Sequence, residues 1–178
     1  MKTIPKMKAV YRLKLMKAPM PLPRRLKLVR FDRTEDLADL ARRLTKNEIQ
    51  EVSLAFFMDA SRDLTGILEL ARGGITSVAM DRRMLFAAAL LHGAEYIVLC
   101  HNHPSGNAKP SRADVVMMKR LIPAAKLLGL SVWDHIVVTD RTHISMREYG
   151  LLPDAETLVR EDEKKREEAL DAAAEGKP

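Results

Sequence analysis

The sequence predicts an α/β domain, a three-layer α/β/α sandwich around a mixed sheet. Three observations lead there. Apolar periodicity switches along the chain in the order helix, three strands, helix, strand, helix, strands, and such alternation is how a sheet comes to be covered by helices. Tyr96 to Cys100 is apolar throughout, as a strand is when both of its faces are covered. The 178 residues are 47% hydrophobic and 30% charged, enough for one domain with a real core and tails. Aromatics are only 4%, so that core must rest on Leu, Val, Ile, Ala and Met.

The elements follow in order. Residues 1 to 30 hold ten Lys or Arg and no Asp or Glu. Prolines at 5, 19, 21 and 23 make this stretch an irregular connector, with a short edge strand predicted from the alternation between Ala9 and Leu15. We divide the chain into a basic N-terminal arm (1–34), a central domain (35–152) and a charged helical tail (153–178). Thr34 is the predicted N-cap of a helix over 35–46. Glu35 and Asp36 suit the positive end of its dipole, and Leu37, Leu40, Ala41 and Leu44 recur at helical spacing.

Glu51 to Met58 is dense in apolar and aromatic residues and predicts a buried strand. Asp59 to Asp63 is the turn, Leu64 to Leu70 the second strand, and Gly73-Gly74 breaks the chain before a third, Ile75 to Ala79. Asp81 caps a helix to about Leu91 or His92, with Met84, Leu85, Ala88 and Leu91 turned inward and Gly93 as its stop. After the strand from Tyr96, Ser111 opens a helix whose predicted inner face is Val115, Met118, Leu121, Leu127 and Leu128. Pro123 kinks or interrupts it, and Gly129 ends it. Ser131 to Thr139 and a short piece around Ile144 are strands. Residues 156 to 174 form a helix polar nearly all round, frayed or docked on a partner.

Composition narrows the setting. One cysteine excludes an internal disulfide and fits a reducing compartment. The basic N-terminus is followed by no apolar segment of signal-peptide type. The longest apolar run, Met84 to Leu91, is far too short to cross a bilayer. A cytoplasmic protein without a membrane part is expected; nothing in the sequence speaks to oligomeric state.

The chemistry concentrates in residues 96 to 114. Side chains two apart on an extended chain point the same way, so His101 and His103 reach one ion from the end of a strand. Pro104 keeps His103 extended. Asp114, on the first turn of the next helix, can return over the strand end as a third ligand. Two imidazoles and one carboxylate leave one position open on a zinc ion, the layout of a catalytic site. Ser111-x-x-Asp114 is at the same time a plain capping box with Asp in place of Glu. The literal string His-Asn-His suggests an HNH nuclease, but that fold sets its histidines far apart.

The spacing His-x-His, seven residues, Ser, two residues, Asp resembles the JAMM (MPN+) metalloprotease motif. His-Asn-His-Pro-Ser-Gly followed by Pro-Ser-x-x-Asp resembles the RadC family in particular. Residues 51–59 look like the first strand of that domain and Trp133 to Val138 like a late one, so the likeness runs over roughly 45–152. It implies a cytidine-deaminase-like fold, one Zn2+ per chain, Glu51 as general base and Ser111 as donor to the oxyanion. Glu48 is the alternative base. Cys100 would point to the face opposite His101 and is read as buried and structural. His135 is read as a core residue or a support behind the ligands, and His92 and His143 as structural or surface residues. Two features depart from the family. Its usual helix-hairpin-helix region is not legible in the 50 residues before Glu51, and the Arg-Glu that often opens the helix before the metal strand reads Arg83-Met84 here.

Three functions follow as expectations. The first is a zinc hydrolase acting on a peptide or isopeptide bond in a peptide or protein substrate. The second is a nucleic-acid-associated accessory protein with a structural or vestigial metal, in keeping with the DNA-repair label the family has carried. The third is a nuclease using the same site on phosphodiesters. The intact motif favours the first; the basic arm keeps the other two open through contact with nucleic acid.

Overall fold

The computed structural model describes residue 31, residues 33–73 and residues 80–174. Along them run α1 (Thr34–Leu44), β1 (Val52–Met58), β2 (Leu64–Arg72), α2 (Arg82–Leu91), β3 (Tyr96–Asn102), α3 (Arg112–Leu127), β4 (Ser131–Val138), β5 (His143–Ser145) and α4 (Ala155–Ala174). The arm, its predicted edge strand and the predicted strand 75–79 lie outside the described residues.

The strands form one mixed sheet in the order β2-β1-β3-β4-β5. Only β3 and β4 are parallel, joined through α3; the other neighbours are antiparallel. β1 is apolar at nearly every position because both of its faces are covered. Leu54, Phe56 and Met58 join α1 residues Leu37, Leu40 and Ala41 in one cluster. Ala55 and Phe57 join Leu85 and Ala89 of α2 and Met118 and Leu121 of α3 in another. Full burial of a side chain such as Phe56 or Phe57 stabilises by roughly 1.5–3 kcal/mol.

Cys100 lies in the α1 cluster, facing away from His101 as strand alternation requires. Asp59 ties the β1–β2 turn, its Oδ1 accepting from the Ser61 and Asp63 amides. Gly66 on β2 leaves room for the His92 imidazole, which stacks on Phe57 with ring centroids 5.4 Å apart.

Four local expectations are corrected. Thr34 is the first helical residue of α1; Arg33 is its cap and makes no side-chain cap bond. In α2 the buried residues are Leu85, Phe86 and Ala89, while Met84 and Leu91 are exposed. Every position from 84 to 91 is apolar, so no polar face set the helix's rotation. In α3 Ile122 and Ala125 are buried, while Leu127 and the C-cap Leu128 are exposed. Pro123 neither breaks nor ends α3, which runs through it for 16 residues. The carbonyl robbed of its partner four residues back belongs to exposed Lys119, where water can replace the bond. Gly93 and Gly129, at φ +61 and +71, close α2 and α3 as expected.

Candidate metal centre

The C-terminal end of β3 meets the N-terminus of α3. His101 is 1% exposed and continues the apolar side of β3. His103 stands just past the strand, its amide still bonded to the Val138 carbonyl at 2.8 Å. Asp114 is the third residue of α3 and fully buried. One donor atom from each of the three lies within 4.8 Å of the others. His101 Nε2 is 2.9 Å from His103 Nε2 and 3.8 Å from Asp114 Oδ1.

The hydrogen bonds behind these atoms orient them. His103 Nδ1 lies 2.6 Å from the Asn107 carbonyl. A carbonyl only accepts, so Nδ1 carries the proton and Nε2 offers a lone pair. His101 Nδ1 lies 2.8 Å from His135 Nε2 on β4. Asp114 Oδ2 accepts from the Ser111 amide at 2.6 Å and the Ser111 hydroxyl at 2.7 Å. In return the Asp114 amide donates to Ser111 Oγ, completing the capping box read from the sequence. Asp114 Oδ1 is buried and receives no hydrogen bond. A carboxylate oxygen in that position is costly unless something positive meets it. Two imidazole nitrogens beside it make the donor set of a divalent transition ion such as zinc. The residues fit a metal.

Electrostatics agree. Burial, reinforced by His135 and His103, holds the pKa of His101 well below its ordinary value. Burial likewise lowers His135 to about 4. Both rings are therefore neutral at neutral pH, the form that gives lone pairs to metals.

The centre opens on one side. The side chains of His101 and Asp114 are sealed, whereas His103 is 14% and Glu51 32% exposed. Glu51 Oε1 is 3.9 Å from His103 Nε2. Glu48, the alternative base, is paired with Arg72 on β2. A cleft of about 290 Å³ opens beside His103, between the residues that follow α1 and the ends of β3 and β4.

Three residues besides the proposed ligands, base and oxyanion donor support the site, and one of them, His135, was read for that part or for a place in the core. Asn107 orients His103 from the loop. His135 is buried in the core and backs His101; its own Nδ1 is buried without a hydrogen-bond partner. Asn102 bonds to the chain on either side of Glu51. The sequence held one signal for Asn102, its place between the two histidines, and none for Asn107. His92 and His143 stand apart, against Phe57 and Arg42 respectively.

The family model described as the RadC-like JAB domain matches residues 31–151. The chain belongs to the RadC-like JAB domain family. A UPF0758 protein of Pseudomonas fluorescens is 37% identical over 112 residues, covering 63% of this chain and 50% of the relative. A UPF0758 protein of Pseudomonas syringae pv. tomato is 39% identical over 107 residues, 60% and 48% of the two chains. One from Clostridium perfringens is 32% identical over 124 residues, 70% and 55%. The chain thus spans about half the length of the curated relatives it matches. The RadC-like JAB match contains the whole donor cluster together with Glu51, Asn102 and His135. No helix among the described residues is long and apolar enough to cross a membrane.

Proposed function

We propose that this chain is a zinc-dependent hydrolase of the JAMM class that cleaves a peptide or isopeptide bond. The observation that carries the reading is the partnerless Asp114 Oδ1 facing two imidazole nitrogens, with the Glu51 carboxylate 3.9 Å from His103 on the open side. His101, His103 and Asp114 would hold the ion. Zinc bound there supplies a Lewis acid that acidifies water towards a pKa of about 7 and polarises a carbonyl.

The chain's own groups do the rest. Glu51 takes a proton from water entering by the cleft and returns it to the departing nitrogen as the C–N bond breaks. The products are a carboxylate and an amine. The Ser111 hydroxyl, which donates to Asp114 Oδ2, turns to the oxygen that gains charge in the transition state. The backbone amide of Ser111 keeps Asp114 in place meanwhile. An extended peptide or protein segment would lie along the cleft beside His103. The same reading takes the domain as the three-layer, cytidine-deaminase-like arrangement of JAMM proteins, in a cytoplasmic setting.

A second partner has its own support. Ten cations without an acid in residues 1–30 suit contact with the phosphates of a nucleic acid. In that reading the hydrolase works on proteins near nucleic acid, or the metal site is vestigial.

Elemental analysis after metal-replete expression tests the first reading. About one zinc per chain is expected, lost in the His101→Ala, His103→Ala double variant. Glu51→Gln should keep the zinc and lose roughly 10²–10⁴ of the rate on any peptide the wild type cleaves. A protein that stays zinc-free, or a zinc-loaded Glu51→Gln as fast as the wild type, would sink the proposal.

A further inference from the structure

The antiparallel pairing of β1 with β3 ends at Ser53 and His101. One step further along that register Val52 comes opposite Asn102, and there a side chain continues the ladder. The Val52 N–H donates to Asn102 Oδ1 at 2.7 Å, and Asn102 Nδ2 donates to the Gln50 carbonyl at 3.1 Å. The two backbone groups so held flank Glu51. The carbonyl of Glu51 itself accepts from the Gly73 amide at 2.8 Å.

Asn102 is a rigid place from which to hold anything. It ends β3, pairs in parallel with Val138 and is 6% exposed. Its chain neighbours are the two histidines of the metal centre. The segment it grips lies before the sheet begins. Asn47 sits at φ +64 and Ile49 is 89% exposed, and β1 begins only at Val52. An amide has one acceptor and one donor end in a fixed plane, which here reads one N–H and one carbonyl across two residues. Asp would lose the donor, and an apolar residue would leave the Val52 N–H buried and unpaired.

We infer that Asn102 is the positioning residue for Glu51: it ties the backbone on both sides of that carboxylate to the strand that carries His101 and His103, and so fixes its distance from the metal centre. The inference rests on the proposal that Glu51 is the base. A displacement of about 1 Å at a reacting group can cost about 10²-fold in rate.

Two measurements on Asn102→Ala test it. In hydrogen exchange by NMR the Val52 amide is expected to exchange about tenfold faster, as loss of one hydrogen bond implies, while the Phe56 amide in mid-strand keeps its protection. In kinetics on the zinc-loaded protein, kcat should fall by about 10²-fold with KM nearly unchanged and zinc content retained. The same substitution in a Glu51→Gln background should cost less than about threefold, because the group it positions is already gone.

Unchanged exchange at Val52 overturns the clamp. A full loss of rate in the Glu51→Gln background overturns the link to Glu51, since Asn102 would then act through the histidines. If the wild type cleaves no peptide, the hydrolase reading fails by itself, and the Val52 amide alone decides the clamp: faster exchange supports it and unchanged exchange removes it. Should the alanine variant not fold, Asn102→Asp keeps the acceptor and removes the donor to Gln50. Its loss of kcat should again vanish in the Glu51→Gln background, and a loss that persists there overturns the inference.

Discussion

His101 Nδ1 and His135 Nε2 lie 2.8 Å apart, on neighbouring parallel strands and out of reach of water. Metal ligands usually give their second ring proton to a carboxylate or a carbonyl. Here a second imidazole stands in that place. If His101 offers Nε2 to an ion, Nδ1–H donates to His135 Nε2, and His135 carries its own proton on the buried, partnerless Nδ1. Burial keeps both rings neutral, with His135 at about 4.

His135→Phe keeps a flat ring at this buried position, slightly larger than the imidazole, and removes the acceptor. Zinc affinity, measured by competition with a chelator, is expected to drop 10–100-fold. His103 keeps its own support at the Asn107 carbonyl, so binding is weakened rather than abolished. His143→Ala, which touches Arg42 instead, serves as the control and should bind zinc as the wild type does. Equal affinity in His135→Phe would show that the pair merely packs.

Much of this was legible in the sequence, and the limits have physical causes. The order of the described elements could be read because short apolar runs bounded by turn residues mark strands, and apolar residues at helical spacing or capped apolar runs mark helices. His101, His103 and Asp114 could be grouped because strand alternation and the first turn of a helix fix directions over short distances. Helix rotation could not be read where the helix is apolar all round, as between Met84 and Leu91. His135 could not be placed against His101 because a parallel register is set by tertiary packing, and this one shifts between Ile97 and Val98. The partners of Asn102 were hidden because they lie across the antiparallel edge of β3 with β1. They lie fifty and more residues earlier in the chain.

Ser111 has two jobs in these readings, and two substitutions separate them. It caps α3, and its hydroxyl is the proposed donor to the oxyanion. Ser111→Ala is expected to cost about 1 kcal/mol of stability, a fall in Tm of about 2–4 °C for a chain of this size. Its rate should fall by roughly 10²–10³ with zinc retained. Glycine is nearly as good a cap as serine, so Ser111→Gly should lose as much rate and hardly any Tm. Calorimetry and kinetics on both variants check this. A Ser111→Gly enzyme at full rate would leave Ser111 as a cap alone.

Gly66 and His92 form a size-coupled pair. A Cβ built at Gly66 would stand 2.5 Å from the His92 ring, and that ring is stacked on Phe57. Gly66→Ala must push the imidazole off its stack and is expected to destabilise by about 1–3 kcal/mol. Gly66 carries no positive φ, so the clash is with the ring and not with the backbone. In a His92→Ala background the same change should cost nothing or stabilise slightly, because alanine restricts the unfolded chain. Denaturant melts of the two singles and the double close the cycle. Additive losses would place the strain elsewhere.

The basic arm makes a separate prediction, independent of the metal. A protein that neutralises phosphates releases counterions, so log K falls with log salt by about 0.9 per phosphate contact on duplex DNA. Ten cations in residues 1–30 against no acid set the upper limit on what the arm supplies. Deleting 1–30 removes those charges but none of the residues of the family match, which begins at 31. The shortened protein is expected to bind a random duplex more weakly and with a flatter salt dependence, by fluorescence anisotropy at several salt concentrations. Its zinc content and its rate on a small peptide should stay as they were. Equal binding with an equal slope would mean that the arm contacts no phosphate. Weaker binding with an unchanged slope would mean that it contributes by something other than charge.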